Sequence, residues 1–282
     1  VSLRRWGKIF RCDGHRIHVL ACGDELDFPT TPDAVVALHA RHSGRQIRLF
    51  RREFPKMPIA LVLTGTDLYR DYPRGSRLVA QSFQLADRIV LLQDRALAAM
   101  PADVVEKCRV IYQSCEPIRG KPQSLRSVFE VTVVGHLRPE KDPMRAAYAV
   151  RNLPLESRVR VTHIGGCYAP LWQTRVQQEL LRNPRYRWLG PMPLARTRQH
   201  IARSQAVVVT SKMEGAGNVI SEAIADRIPV LSSRIEGTIG MLGVDYAGFY
   251  TCGSTKELSQ LIVRFETDSA FRAMQWLAAD TM

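Results

Sequence analysis

Short apolar runs alternate along the chain with longer amphipathic segments. The apolar runs are rich in Val, Ile and Leu and are mostly continuous, which is typical of strands buried on both faces of a sheet. They predict strands at 17–21, 34–38, 59–63, 88–92, 109–112, 129–134, 159–164, 186–189, 206–210 and 229–232. The amphipathic segments predict helices at 44–53, 76–86, 143–152, 171–183, 197–203 and 218–225. Such alternation predicts an α/β protein with doubly wound parallel sheets.

A stretch rich in Pro, Gly and polar residues interrupts this alternation at 114–127. Its composition is typical of a boundary between domains. We therefore predict an N-terminal domain at 1–117 and a second domain at 118–265. A helical segment at 266–282 follows and could return to the first domain.

The chain opens with the periodicity of a helix that is already under way, at 1–11, and Gly14 is placed to end it. A parallel α/β domain ordinarily opens with a strand and a glycine-containing turn. We therefore expect a first strand and turn to precede this sequence. Such a turn could hold a substrate phosphate.

Composition limits the classes of protein that need consideration. Of the 282 residues, 45% are apolar, which is enough for a core in each half. No stretch approaches the roughly 20 apolar residues that span a bilayer, and we expect no secretory signal. Six cysteines are scattered without a C-x-x-C pair. This pattern argues against a zinc site or a disulfide framework and predicts a cytoplasmic protein without a membrane partner.

The formal net charge of +13 leaves several partners open. A solvated Arg-rich surface, a cleft that favours anionic substrates, and nucleic-acid binding would each explain it. The arginines are spread along the whole chain, and no basic run with interleaved aromatic residues occurs. Nucleic acid is therefore not the expected partner.

The segment 206–232 carries the clearest chemical pattern. A predicted strand ends in a loop with Glu214, and Gly215 and Gly217 open a helix that contains Glu222. Ligands of open α/β sheets bind beyond the carboxyl ends of strands, and a helix N-terminus attracts phosphate. The alternative is a plain helix start followed by a solvated glutamate.

The second half opens with VVGHLRPEKDP at 133–143, again a strand, a glycine and cationic residues. Arg138 and Lys141 are placed to neutralise a diphosphate leaving group. Together with the two glutamates, this pattern resembles the donor half of retaining glycosyltransferases of the GT4 family. The resemblance implies the GT-B fold, in which two Rossmann-like domains face each other across a cleft.

In that family a G-R-x-x-x-x-K element holds the diphosphate, a first glutamate contacts the donor sugar and a second binds ribose. The matching positions are Lys141, Glu214 and Glu222. His136 stands where the family usually has arginine, and Arg138 is the candidate substitute.

Further strings resemble one subgroup, the selenosugar synthase of selenoneine biosynthesis. They are ALHARHS at 37–43, VLTGTDLYRDYP at 62–73, QSFQLADRIVLLQ at 81–93, VIYQS at 110–114, GHLRPEKDP at 135–143 and RYRWLGPMP at 185–193. Members of the subgroup join the sugar of a UDP-sugar to selenophosphate. Thr64 replaces a histidine that is common in other GT4 relatives, so their acceptor chemistry does not transfer directly.

Selenophosphate is a small anion whose selenium is already an ionised nucleophile, so it needs capture more than a strong base. The predicted catalytic residues are His39, Thr64, Asp67 and Glu214. The predicted acceptor-binding residues are Arg41, His42, Gly65, Thr66 and Arg70. The predicted donor-binding residues are His136, Arg138, Lys141, Gly215, Gly217, Asn218, Val219 and Glu222. Packing histidines, a surface ion pair for Arg41, a capping Asp67 and a turn at Gly65 are the plain structural alternatives.

No D-x-D pair follows a strand, and Asp67 and Asp71 are too far apart for that motif. We therefore expect no catalytic metal and no cofactor beyond the UDP-sugar co-substrate. Arg138, Lys141 and the helix N-terminus at 215–219 would stabilise the departing UDP.

These observations predict a glycosyltransferase that transfers glucose or N-acetylglucosamine from UDP to selenophosphate, with release of UDP and phosphate. A conventional GT4 enzyme acting on a hydroxyl or thiol is the nearest alternative. A basic protein that binds nucleic acid or anions without catalysis is the third.

Overall fold

The computed structural model describes residues 2–22, 24–26, 28, 30–120 and 127–281. The chain forms two compact units, each built around its own sheet. The first unit comprises Val1–Gln113 together with Glu214–Asn218, and the second comprises Ser114–Met213 together with Val219–Met282. Residues 121–126, which belong to the predicted boundary stretch, lie outside the described residues.

The first unit contains a parallel sheet with the strand order β1-β2-β3-β4. Its strands are β1 (Val35–Leu38), β2 (Ile59–Val62), β3 (Arg88–Leu91) and β4 (Cys108–Val110). Its helices are α1 (Ser2–Cys12), α2 (Gly44–Glu53) and α3 (Arg77–Leu85). A π-helical turn covers Asp67–Asp71, and short 3₁₀ segments cover Asp94–Ala99 and Ala102–Lys107.

The core of this unit forms where α2 and α3 cover the sheet. Ile47 and Phe50 lie three residues apart on α2, and Phe83 of α3 packs into the same cluster. Leu61 and Ile89 of the central strands complete it and are fully buried. Burial of each such side chain stabilises the fold by about 1.5–3 kcal/mol.

The second unit contains a larger parallel sheet with the order β10-β9-β8-β5-β6-β7. Its strands are β5 (Phe129–Val134), β6 (Val159–Ile164), β7 (Tyr186–Trp188), β8 (Ala206–Val209), β9 (Val230–Arg234) and β10 (Phe249–Thr251). Its helices are α4 (Arg145–Val150), α5 (Pro170–Arg182), α6 (Leu194–Arg203), α7 (Asn218–Ala225), α8 (Glu236–Leu242), α9 (Thr255–Thr267) and α10 (Ser269–Thr281). A 3₁₀ turn covers Pro139–Lys141.

Strand β8 shows why the strands of this sheet are apolar along their whole length. Ala206 and Val208 pack into one core cluster, and Val207 and Val209 pack into a second one. Successive side chains of a strand point to opposite faces, so a sheet covered by helices on both faces needs apolar residues at every position. The predicted α/β class with two parallel sheets is confirmed.

The strand predicted at 17–21 is wrong. These residues have no regular secondary structure, and Val19 is 49% exposed. Leu20 packs at the edge of the first core without joining the sheet. A short apolar run forms a strand only where a neighbouring strand accepts its hydrogen bonds, and the described ladder of this sheet begins at β1.

Strand β10 and helices α8 and α9 were not predicted from the sequence. Helix α9 had a usable signal, because Ser254 precedes Glu257 in an S-x-x-E pattern. In the structure the hydroxyl of Ser254 accepts a hydrogen bond from the Glu257 N–H at 3.2 Å. Helix α10 lies in the predicted C-terminal helical segment and belongs to the second unit by its contacts.

No helix among the described residues combines the length and apolar character that a membrane span requires.

Candidate active site

The loops that follow β1 and β2 bring several predicted residues together in the first unit. His39 follows β1 directly, and its N–H extends the ladder by donating to Val62 O at 3.0 Å. Its φ of +74° is rare for a residue with a side chain. A backbone conformation of this kind is kept where surrounding contacts hold it, and here they converge on the histidine ring.

Asp67 is the centre of those contacts and is fully buried. Its Oδ2 accepts hydrogen bonds from the Thr64 N–H at 3.0 Å and from the Thr64 hydroxyl at 3.2 Å. Its Oδ1 contacts His39 Nδ1 and accepts from the Arg41 N–H at 3.3 Å. One buried carboxylate therefore joins the loop after β1 to the loop after β2.

The hydrogen bond to Asp67 also determines the state of the His39 ring. A carboxylate can only accept, so Nδ1 of His39 carries the proton. Nε2 then lies 3.0 Å from the Thr66 hydroxyl, which can donate to it. The His42 N–H lies 3.4 Å from Nδ1, too far to displace this arrangement. Asp67 thus orients His39 through Nδ1, and its second nitrogen faces the Thr66 hydroxyl.

Two neighbouring groups complete this cluster. The His42 ring lies 4.0 Å from the His39 ring, and burial followed by the nearby His39 lowers its pKa. Asp71 receives a hydrogen bond from Arg70 Nε at 2.9 Å, and this bond is the main reason that its pKa is lowered. Arg41 Nη1 lies 3.6 Å from the same carboxylate.

Ligand atoms of His39, Asp67 and Asp71 lie within 4.8 Å of one another. The D-x-D spacing sought in the sequence did not reveal this proximity. Asp67 and Asp71 lie four residues apart, and the helical turn Asp67–Asp71 brings their carboxylates to the same side. Each carboxylate already has N–H partners in the structure. The group is therefore satisfied as a charge network, and the absence of a catalytic metal stays a prediction.

Segment Glu214–Asn218 packs with the first unit against the loop after β2. A Cβ on Gly65 would lie 2.5 Å from both the Glu214 carbonyl carbon and the Gly215 nitrogen. A Cβ on Gly215 would lie 2.7 Å from the Gly65 nitrogen. Only glycine permits two backbones to approach this closely. The structure therefore places Glu214 beside the Thr64–Gly65 backbone.

In the second unit, the predicted donor-binding residues follow β5. The backbone pairing of β5 with β6 continues past the strand ends, because Gly135 N–H donates to Ile164 O and Leu137 N–H donates to Gly166 O, both at 2.9 Å. His136 and Arg138 extend from this segment and are exposed. The pairing fixes the backbone from which both side chains project.

A hydrogen bond fixes the His136 ring as well. The Gly166 N–H donates to His136 Nδ1 at 2.9 Å. The ring of Tyr168, which is 77% exposed, lies edge-on at 5.4 Å. The partly buried position of the ring lowers the pKa of His136, and the positive charges of Arg138 and Lys141 lower it further.

His163 supports the same loop from beneath, and this role was not predicted from the sequence. It lies in β6 with 1% exposure, where Nε2 contacts Gly135 O at 2.9 Å and Nδ1 contacts the Tyr186 hydroxyl at 3.0 Å. A carbonyl only accepts, so Nε2 carries the proton and Nδ1 accepts from Tyr186. Burial lowers the pKa of His163 to about 4. A lone histidine inside the apolar run VRVTHI was the available signal.

The turn that carries Lys141 is held by residues that follow β8. The Thr210 hydroxyl donates to Lys141 O at 2.7 Å, and the Lys212 N–H donates to Glu140 O at 2.8 Å. Asp142, which follows, has a left-handed φ of +42° that ends the turn. Lys141 is therefore fixed by backbone contacts on both sides.

Helix α7 places Val219 and Glu222 in the second unit, where both are buried at 8% and 3% exposure. The alternative of a solvated glutamate at 222 is therefore wrong. Glu222 interacts electrostatically with Arg198, which also donates to both oxygens of Asp226 at 2.6 and 3.1 Å.

The predicted site residues thus fall into two groups. The first unit holds His39, Arg41, His42, Thr64, Gly65, Thr66, Asp67, Arg70, Glu214, Gly215, Gly217 and Asn218, and the second holds His136, Arg138, Lys141, Val219 and Glu222. In the second sheet β5 is flanked by β6 and β8, so chain order reverses beside β5. Ligands of open α/β sheets bind at such a position, at the carboxyl ends of the strands.

Replacing Gly165 by alanine tests how tightly these loops are packed. A Cβ at this position would lie 1.9 Å from Gly135 O, so the loop before His136 must shift. We expect the free energy of unfolding to fall by about 1–3 kcal/mol, measured by urea denaturation. Gly7→Ala in α1 is the control, because its Cβ would meet only an arginine side chain at 3.4 Å. Equal stability of the two variants would contradict the described packing.

Comparison with known proteins identifies the family. The family model for glycosyl transferases group 1 matches residues 116–276. The chain belongs to this family. The match begins ahead of β5, includes the loops of the second unit described above, and ends within helix α10.

Solved structures show the fold that this glycosyltransferase shares. HepE from Anabaena, solved with UDP and glucose, is 17% identical and superposes with a TM-score of 0.72, covering 88% of this chain and 72% of that one. A UDP-forming α,α-trehalose-phosphate synthase from Burkholderia xenovorans was solved with glucose-6-phosphate. It is 14% identical and superposes with a TM-score of 0.71, covering 89% of this chain and 70% of that one. Sucrose-phosphate synthase from Thermosynechococcus elongatus is 16% identical and superposes with a TM-score of 0.69, covering 88% of this chain and 67% of that one. The predicted GT-B fold class is confirmed by these likenesses.

Proposed function

We propose that this glycosyltransferase transfers glucose or N-acetylglucosamine from UDP to selenophosphate. The observation that carries the donor half of the proposal is the carboxyl edge of the second sheet. There His136, Arg138 and Lys141 project from a backbone that is hydrogen-bonded to the neighbouring strands. Cationic groups and N–H donors held in this way suit a diphosphate that gains charge as it leaves.

The remaining donor contacts come from the segment around α7. Glu214 is assigned to the sugar and Glu222 to the ribose hydroxyls. Gly215, Gly217, Asn218 and Val219 form the start of the helix, whose N–H groups and dipole favour phosphate. Support comes from HepE, whose structures contain UDP, UDP with glucose, or UDP-glucose in the same fold.

The acceptor is assigned to the loops after β1 and β2. Arg41, His42 and Arg70 surround the Asp67 cluster, and Thr64, Gly65 and Thr66 add hydroxyl and backbone groups. Cationic and hydrogen-bonding groups of this kind suit a small anion. The choice of selenophosphate among such anions rests on the strings that resemble the selenosugar synthases, above all LTGTDLYRD.

The proposed reaction has two steps. A selenium lone pair forms the bond to the anomeric carbon while the bond from that carbon to the β-phosphate oxygen breaks, and UDP leaves with its electron pair. Water then attacks phosphorus, the P–Se bond breaks, and a 1-seleno-sugar and inorganic phosphate are released. UDP and phosphate are therefore formed in equal amounts.

The test is incubation of the protein with UDP-glucose or UDP-N-acetylglucosamine and selenophosphate, without added metal. We expect UDP by coupled assay, phosphate in equal amount, and a selenosugar by mass spectrometry. Inorganic phosphate in place of selenophosphate is the matched control, because it is an anion of similar shape without the soft nucleophile. UDP release that ignores selenophosphate would refute the acceptor assignment.

A conventional hydroxyl or thiol acceptor is the second candidate, and the His39–Asp67 pair favours it. A histidine oriented by a buried carboxylate is the arrangement that removes a proton from a protic nucleophile. Sugar alcohols and thiols therefore belong in the same assay as competing acceptors. Faster UDP release with one of them than with selenophosphate would favour this candidate.

A further inference from the structure

His136 differs from the cations beside it in a way that its hydrogen bonds determine. The backbone N–H of Gly166 can only donate, so Nδ1 of His136 must be the unprotonated acceptor. In a neutral ring the proton is then on Nε2. Protonation to imidazolium would set an Nδ1–H against the Gly166 N–H at 2.9 Å and break this bond.

The surroundings of the ring keep that state. Arg138 and Lys141 contribute positive charge from the same loop, and His163 lies below in β6. Tyr168, from the loop after β6, covers one side of the ring edge-on. Partial burial, followed by the positive charges of Arg138 and Lys141, lowers the pKa of His136 and so favours the neutral ring.

The other ring nitrogen is available for a ligand. Among the described residues no hydrogen bond involves Nε2 of His136, and the residue is exposed at the carboxyl end of β5. The backbone beneath it cannot move easily, because Gly135 O accepts from buried His163 and Leu137 N–H donates to Gly166 O. An N–H donor is thus held in place on the loop after β5, beside the loop after β6.

We propose that His136 binds the diphosphate of the UDP-sugar as a neutral donor through Nε2–H, in a tautomer that the Gly166 N–H imposes. This proposal rests on the proposed function for the presence of a UDP-sugar. In this arrangement Arg138 and Lys141 supply the positive charge that binds the diphosphate, and His136 supplies a directional hydrogen bond.

Nitrogen NMR of protein labelled in its seven histidines tests the tautomer directly. We expect the His136 signals of a neutral ring protonated on Nε2 at pH 7, assigned by their loss in His136→Gln. UDP should shift the Nε2 resonance. An imidazolium or an Nδ1–H tautomer in the free protein would overturn the proposal.

Two substitutions separate the two nitrogens. The amide nitrogen of His136→Gln can reach the position of Nε2, whereas the oxygen of His136→Asn can replace only Nδ1. We expect UDP affinity by calorimetry to fall less than about threefold for Gln and about 10- to 100-fold for Asn. Equal affinities of Asn and wild type would overturn the role of His136 while leaving the proposed function intact. Wild type that binds no UDP, yet shows the expected tautomer, would instead refute the proposed function and with it this assignment.

Discussion

Lys141→Ala is expected to lower kcat/KM for the UDP-sugar by about 10²- to 10³-fold. Lys141 is the cation on the 3₁₀ turn after β5, and its backbone is held by Thr210. In the proposed function, its charge contacts the diphosphate in the bound donor and stabilises it more strongly as UDP leaves. Steady-state kinetics of UDP release and calorimetric UDP binding should therefore both show a loss.

The controls for Lys141 separate charge from general damage. Lys141→Arg keeps the charge and should retain more activity than the alanine variant, although its geometry differs. Lys256→Ala removes an exposed lysine from α9 and should behave as wild type. If Lys141→Ala bound UDP and turned over normally, the donor site would not lie on this turn.

Asp67→Asn is expected to lower kcat by about 10²- to 10⁴-fold with little change in UDP affinity. Both oxygens of Asp67 accept hydrogen bonds, so an amide NH₂ must face either the Thr64 N–H or the groups of His39 and Arg41. The donor–donor contact should turn His39 away from its present orientation. It should also lower the free energy of unfolding by about 1–3 kcal/mol.

Asp87→Asn is the matched control for this loss of stability. Asp87 Oδ2 also accepts from a backbone N–H, that of Ile59 at 2.8 Å, and from Arg51 at 2.7 Å, but it lies at the opposite end of β2. Asp87→Asn should lose stability and keep kcat. Parallel losses of kcat in both variants would show that Asp67 acts only through the fold.

The sequence alone revealed most of the strands and most helices, because burial on both faces demands continuous Val and Ile runs such as 206–210. Helix α7 was predicted with its observed bounds, Asn218–Ala225, since the glycines before it and the apolar spacing within it are local signals. The failures were also local in origin. The run at 17–21 lacks a paired neighbour, and β10, with only three residues, Phe249–Thr251, is too short to show a period.

For the candidate site, the sequence provided the residue types and the strand ends on which they lie. It could not provide the contacts between distant segments. Asp67 contacts His39, which lies 28 positions earlier in the chain, and Gly65 contacts Gly215, which lies 150 positions later. Such pairs are set by strand order and loop closure, which one sequence does not encode as a readable pattern.

Proton positions show the same division. The sequence placed His136 at the end of a strand and His163 inside one. Which nitrogen of each ring carries the proton follows from the Gly166 N–H and the Gly135 carbonyl, and both come from a neighbouring strand end. The sequence thus determined the chemistry that this protein has available, and only the tertiary structure decided which atoms can use it, because hydrogen bonds depend on distance and direction.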